Sequence, residues 1–233
     1  MLLYYIRHAD PIYRPDSITP YGEEQARVLA DRLERHPFDR VYASTSNRAI
    51  QTATPICQRL GLEPILLDFA NEKHAWKQMT VEMPDGRRWF YNDMRLRYLF
   101  TLPEVRKMGF DWYKHPLFAD YDFGAGIQRV QTEVDAWLKT LGYEHIPGTA
   151  RYRVLRPNGE RVGFFAHAGF GSLFMSCLLD LPYPLYCATY DMCTTGVSVI
   201  DFREHEEWAI PVLMTFSNDG HLYGGNVDLS YHY

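Results

Sequence analysis

Two histidines in this chain, His8 and His167, each follow a short apolar run. Leu2-Leu3-Tyr4-Tyr5-Ile6 leads into Arg7-His8, and Val162-Gly163-Phe164-Phe165-Ala166 leads into His167. A neutral imidazole can act as nucleophile, general base or metal ligand, depending on its surroundings. Arg7 adjoins His8, and Arg48 stands four residues beyond Ser44, near the start of a helix-like stretch. Guanidinium groups present a planar fork of donors suited to phosphate oxygens, and a helix start adds free N–H groups. Imidazole beside arginine therefore points to phosphoryl chemistry.

These side chains meet only if the elements carrying them converge. The runs 2–6, 41–43, 64–68 and 162–166 read as buried strands. Thr19-Pro20 opens a helix whose buried face is Ala26, Leu29, Ala30 and Leu33. A second helix is predicted from about Asn47 to Leu60, with Gly61 as its stop and Pro55 as an awkward interior residue. A third covers Ile127 to Leu141, ended by Gly142, and a fourth runs from about Gly169 to Leu179. Asn158-Gly159 reads as a hairpin turn joining strands 151–155 and 162–166. Val197 to Phe202 and Trp208 to Phe216 are late strands. Strands alternating with helices imply an α/β fold: a mostly parallel central sheet with helices on both faces. Ligands of such sheets bind beyond the carboxyl ends of the strands, where His8 and His167 both stand. Residues 74–124 break the rhythm with twelve aromatic side chains and a basic cluster including Arg87, Arg88, Arg95, Arg97, Arg106 and Lys107. They read as an insertion within a single 1–233 domain, either extra core or a lid over the site.

Several blocks carry a family resemblance. Tyr5-Ile6-Arg7-His8-Ala9 resembles the Arg-His-Gly signature of the histidine phosphatase superfamily, the phosphoglycerate-mutase-like fold. Ile18 to Ala26, Ala43 to Ala53, Phe165 to Gly169 and Phe216 to Leu222 are similar to further blocks of that family, in order along the chain. The resemblance implies that His8 attacks phosphorus and becomes a phosphohistidine, while Arg7, Arg48 and His167 hold the phosphoryl oxygens. It also implies a proton donor. One branch of the family uses an Asp just after the second histidine, where this chain has Ala168; the other uses a Glu after the third strand, where Glu72 stands. Ala9 replaces the usual Gly. Only ten residues separate His8 from Thr19, with no long substrate loop of the mutase kind, which favours a phosphatase over a mutase.

Blander readings accompany these. A lone histidine at a strand end is more often structural, and it is Arg7 and the ordered blocks that reverse this for His8 and His167. Arg48 alone could be a solvated helix residue, Glu72 a surface carboxylate, and His221 structural. His8 and Asp10 with His167 and His221 could be ligands of a metal, although a closed zinc site usually has tighter spacing. No metal or cofactor is expected.

Composition narrows the class. Lys and Arg total 24 against 29 Asp and Glu, for a net charge of −5, which offers no footprint for a nucleic-acid backbone. The apolar run 2–6 is too short to span a membrane. Cys57, Cys177, Cys187 and Cys193 form no CxxC pair, so a reduced, cytoplasmic protein is expected. The expected partner is a small phosphorylated substrate, and the oligomeric state is left open. The leading reading is a cofactor-independent phosphomonoesterase; its competitors are a mutase and a phosphate-binding module without catalysis.

Overall fold

A computed structural model describes residues 1–84, 86–225, 227 and 228. An eight-stranded sheet is built from Leu2–Arg7 (β1), Arg40–Ser44 (β2), Ile65–Leu67 (β3), Tyr143–Ile146 (β4), Arg151–Val154 (β5), Arg161–Ala166 (β6), Val197–His205 (β7) and Trp208–Asn218 (β8). Their order across the sheet is β3-β2-β6-β1-β7-β8-β5-β4. The half from β3 to β1 is parallel, and β7 joins the other side of β1 antiparallel, as do the remaining strands to one another. The parallel core of the sheet thus holds both histidine-bearing strands side by side, Ile6 in register with Phe165.

Side chains of successive strand residues point to opposite faces, and the two cores follow from that period. Ile6, Val41, Ala43 and Phe165 bury against Leu29 and Leu33 of Pro20–Leu33 (α1) and Ala53 and Ile56 of Asn47–Leu60 (α2). Leu3, Tyr5 and Phe164 face the other way, towards Val130 and Val134 of Phe123–Thr140 (α4) and Phe170 and Phe174 of Ala168–Leu178 (α5). Each such aromatic contributes roughly 1.5–3 kcal/mol by leaving water. Thr19 caps α1, its hydroxyl accepting from the Gly22 N–H, and Pro20 occupies the first turn. The helix α2 runs through Pro55 without a break and stops at Gly61, which takes the left-handed conformation at φ 65°.

The expected hairpin at Asn158-Gly159 is not formed. β5 pairs with β4 and β8, whereas β6 lies between β1 and β2. A strand apolar on both faces belongs in the interior of a parallel sheet, and that demand outweighs a local turn signal. The Asn158 side chain instead donates to the Leu141 carbonyl and accepts from the Glu160 N–H.

The aromatic stretch begins with Glu72–Met79 (α3) and a small hairpin of Thr80–Met83 with Gly86–Trp89. Its rings Trp89, Phe90, Phe100, Trp112 and Phe118 are buried in the same cluster as Leu3, Tyr5 and Phe164. Its basic residues mostly serve local acids and carbonyls: Arg87 meets Glu82, Arg88 and Arg95 meet Asp93, and Arg97 meets Asp191. The stretch is continuous with the core and, through Trp89, Tyr91 and Asn92, forms a wall of the site described next.

Candidate active site

β1 delivers Arg7 at its last position and His8 one residue beyond. The loop that follows is tied on every side. The His8 N–H donates to the Ala166 carbonyl of β6 (2.9 Å), and the Thr195 N–H donates to the Arg7 carbonyl (3.1 Å). The Ala9 N–H donates to Thr52 Oγ1 of α2, and the Asp10 N–H to Oε1 of the buried Gln25 of α1 (2.9 and 2.8 Å). The His8 ring is almost wholly buried, and its Nδ1 lies 2.7 Å from the Ala9 carbonyl oxygen. A carbonyl can only accept, so Nδ1 carries the proton and Nε2 keeps its lone pair.

His167 meets His8 with ring centroids 5.2 Å apart. Its Nε2 lies 2.8 Å from Ser44 Oγ at the end of β2, and its main-chain carbonyl accepts from Tyr5 Oη (2.7 Å). Its Nδ1 is buried and has no hydrogen-bond partner; the nearest carboxylate oxygen, Glu72 Oε2, is 3.7 Å away. Glu72 begins α3, and its Oε1 accepts from the Gly169 N–H at the start of α5 (3.0 Å). Its Oε2 accepts from Arg48 Nη2 (3.1 Å), while Arg48 Nη1 donates to Asp16 (2.6 Å). Arg7 Nη1 donates to the Met192 carbonyl. Arg7, His8, Tyr13, Glu72, Trp89 and Asp191 are among the side chains around a small cavity.

Charge and burial set the protonation. Burial, then Arg7 and Arg48, hold the His8 imidazole well below its usual range, so it is neutral at pH 7. Burial and His8, with both arginines, do the same to His167. Burial raises the Glu72 carboxyl against the pull of Arg48 and Arg7. The site is therefore a pocket with neutral imidazoles, two fixed cations and a carboxyl inclined to hold its proton.

The sequence profile of the histidine phosphatase superfamily (branch 1) matches residues 4–213. The chain belongs to that superfamily. Solved structures sharing its fold include the phosphoserine phosphatase of Entamoeba histolytica in complex with phosphoserine, at 20% identity and a TM-score of 0.60, covering 95% of this chain and 98% of that one. The alpha-ribazole phosphatase of Shigella flexneri follows at 18% identity and 0.59, covering 94% and 97%. A protein of Hydrogenobacter thermophilus named "Putative phosphoserine phosphatase 2" is 30% identical over 110 residues, 40% of this chain. The chain spans only 54% of the length of that relative.

Within this member of the superfamily the five residues singled out from sequence, Arg7, His8, Arg48, Glu72 and His167, are brought together. The four-residue metal set is not. Asp10 Oδ2 accepts from the Thr19 hydroxyl, and His221 meets Thr195 Oγ1 (3.0 Å) and Arg32 Nη1 (3.3 Å). Among the described residues the group with metal-ligand geometry is His8, Glu72 and His167, whose candidate atoms lie within 4.8 Å of one another. The Glu72 oxygens already accept from Arg48 and Gly169, and the flanking guanidiniums suit an anion better than a cation. Asp68, the other carboxylate near the third strand, is exposed, and hydrogen bonds from His74, Thr45 and Lys73 lower its pKa to about 2. It has no proton to give.

Sequence reasoning missed Ser44, Tyr13, Tyr91, Asn92 and Asp191. Ser44 sits within a family-like block and was readable as a partner for an imidazole. Asp191 lies in a loop after a short helix, Tyr183–Cys187, and nothing in its local pattern announces it.

Proposed function

We propose that this chain is a phosphomonoesterase that works through a phosphohistidine on His8. The observation that carries the reading is the pairing of His8, whose Nδ1 is locked on the Ala9 carbonyl, with His167, whose Nδ1 is buried without a partner. The first leaves a nucleophilic lone pair on Nε2. The second leaves a polar atom waiting for a ligand in a site flanked by guanidiniums.

The His8 Nε2 pair attacks phosphorus, and the P–O bond to the alcohol breaks. Glu72 gives its proton to the departing oxygen. Arg7, Arg48 and an N–H of His167 hold the equatorial oxygens as charge redistributes. Arg48 is bound to Glu72 beforehand, and a neutral Glu72 holds it less tightly, so protonation frees a donor for the phosphoryl group. In the second half, water loses a proton to the Glu72 carboxylate as its oxygen bonds to phosphorus, and the N–P bond breaks. His8 and Glu72 return to their starting forms.

The deciding experiment is turnover of p-nitrophenyl phosphate with a chelator present, followed by rapid quenching and peptide mapping. Acid-labile, base-stable phosphate on His8 supports the proposal; phosphate on another residue defeats it. Free phosphate from a sugar phosphate identifies hydrolysis, and an isomeric phosphate identifies a mutase.

A further inference from the structure

The cavity at His8 has a neighbour. A second, smaller one adjoins it, and Tyr91, Ala168 and Asp191 border both. Between them Ala168 presents only a methyl group. The smaller cavity has room for about 10 Å3, one water-sized group. Tyr186 and Tyr190 wall it, their rings stacked at 5.1 Å. The Tyr186 hydroxyl is buried and has no hydrogen-bond partner. Asp191 is the carboxylate on its wall; one oxygen accepts from the Met192 N–H (2.8 Å). Arg97 Nη1 pairs with Asp191 Oδ2 at 3.7 Å, beyond hydrogen-bond distance, while its Nε and Nη2 donate to the Ala188 and Tyr190 carbonyls (3.1 and 3.2 Å). Arg97 therefore pins the turn bearing Asp191 and leaves acceptor capacity on that carboxylate.

The geometry points to an ammonium subsite: we propose that the preferred substrates are phosphate monoesters of short primary amino alcohols. The inference rests on the phosphatase reading of the same site. With the phosphoryl group at His8, the alcohol part passes Ala168. An ammonium group is the size of a water and brings three donors. Asp191 and the orphaned Tyr186 hydroxyl supply acceptors, and Tyr91, Tyr186 and Tyr190 supply π-electron density that favours a cation. An acidic alcohol part would set its carboxylate against Asp191. A bulky quaternary ammonium would not fit the volume.

The test is calorimetric binding to the His8→Ala protein, which keeps its ligands unhydrolysed. The probes are 2-aminoethyl phosphate, 2-hydroxyethyl phosphate and 3-phosphoglycerate. The first two differ only by ammonium for hydroxyl. The amine should bind about tenfold tighter than the hydroxyl compound, as for a charge-assisted hydrogen bond, with the acid weakest. Asp191→Asn, nearly isosteric and still able to accept from Met192, should collapse that ratio, and Tyr186→Phe should reduce it. Equal affinity of the amine and hydroxyl compounds, preference for the acid, or a ratio untouched by Asp191→Asn would each overturn the inference. Failure of p-nitrophenyl phosphate turnover with the affinity ratio intact would instead sink the phosphatase reading alone.

Discussion

The same burial shifts the His8 and Glu72 pKa values in opposite directions, down and up, because desolvation disfavours charge on both. The proposed mechanism needs neutral His8 and protonated Glu72. The His8 value is lowered, so its neutral form persists into acid; the Glu72 value is raised, so its proton persists above the ordinary carboxylate range. kcat/KM should therefore fall as pH rises through the Glu72 value, and Glu72→Gln should remove that alkaline limb. The same variant should cripple turnover of alkyl phosphates and spare p-nitrophenyl phosphate more, since a good leaving group needs little protonation. Equal slowing of both substrates would rule Glu72 out as the acid. Arg48→Ala should lower kcat by something on the order of a hundredfold, as for loss of an electrostatic stabiliser; an unchanged kcat/KM would remove it from the chemistry. At this scale the sequence was informative wherever a residue's chemistry is local, as for His8 following its strand. It was silent on Asp191 and Tyr91, whose place depends on how distant loops fold over the site.

The loop after β1 shows how elements aim His8. Gly22, in the first turns of α1, packs so closely on that loop that a Cβ would stand 2.5 Å from the Asp10 carbonyl oxygen. Helix propensity alone would make Gly22→Ala stabilising by up to about 1 kcal/mol. A clash with backbone cannot be relieved by a rotamer change, and overpacking costs typically about 1–3 kcal/mol. The clash should win: chemical denaturation should show net destabilisation, and kcat should drop because the Ala9-Asp10 segment shifts. A more stable, fully active variant would refute this account. Strands and helices were legible from apolar period and caps, as Thr19, Pro20 and Gly61 demonstrate. The false hairpin at Asn158-Gly159 came from a turn signal two residues long. Strand pairing is decided by which partners bury a strand on both faces, and those partners are far away in sequence.

Across the whole molecule, residues 74–124 bear on stability as well as on the site. Trp112 is buried among Phe100, Phe118, Phe123 and Tyr183, the last of which lies outside that stretch. We infer that the stretch folds with the rest as one unit. Trp112→Ala should then lower global stability by about 3–5 kcal/mol within a single transition; a second, separate transition would mark an independent lid. At the other edge of the sheet His145 lies between Asp135 (3.0 Å) and Asp180 (3.6 Å). Burial opposes its charge, but the two carboxylates prevail and raise its pKa. Its contribution to stability is full below the unfolded value of about 6.5 and is lost as pH rises through the folded value. His145→Gln should therefore cost more in acid than in mild alkali, by comparison of urea midpoints; a pH-independent cost would deny the ion pairs. Finally, β1 has no sequence-local partner in the sheet: Leu2 pairs with Arg161 and Asp201. During synthesis this strand must wait, its Leu-Leu-Tyr-Tyr-Ile run unpaired, until Arg161–Ala166 and Val197–His205 have left the ribosome. Such long-range pairing slows folding, and a chain stalled before those strands emerge exposes an apolar, unpaired run that is an aggregation hazard.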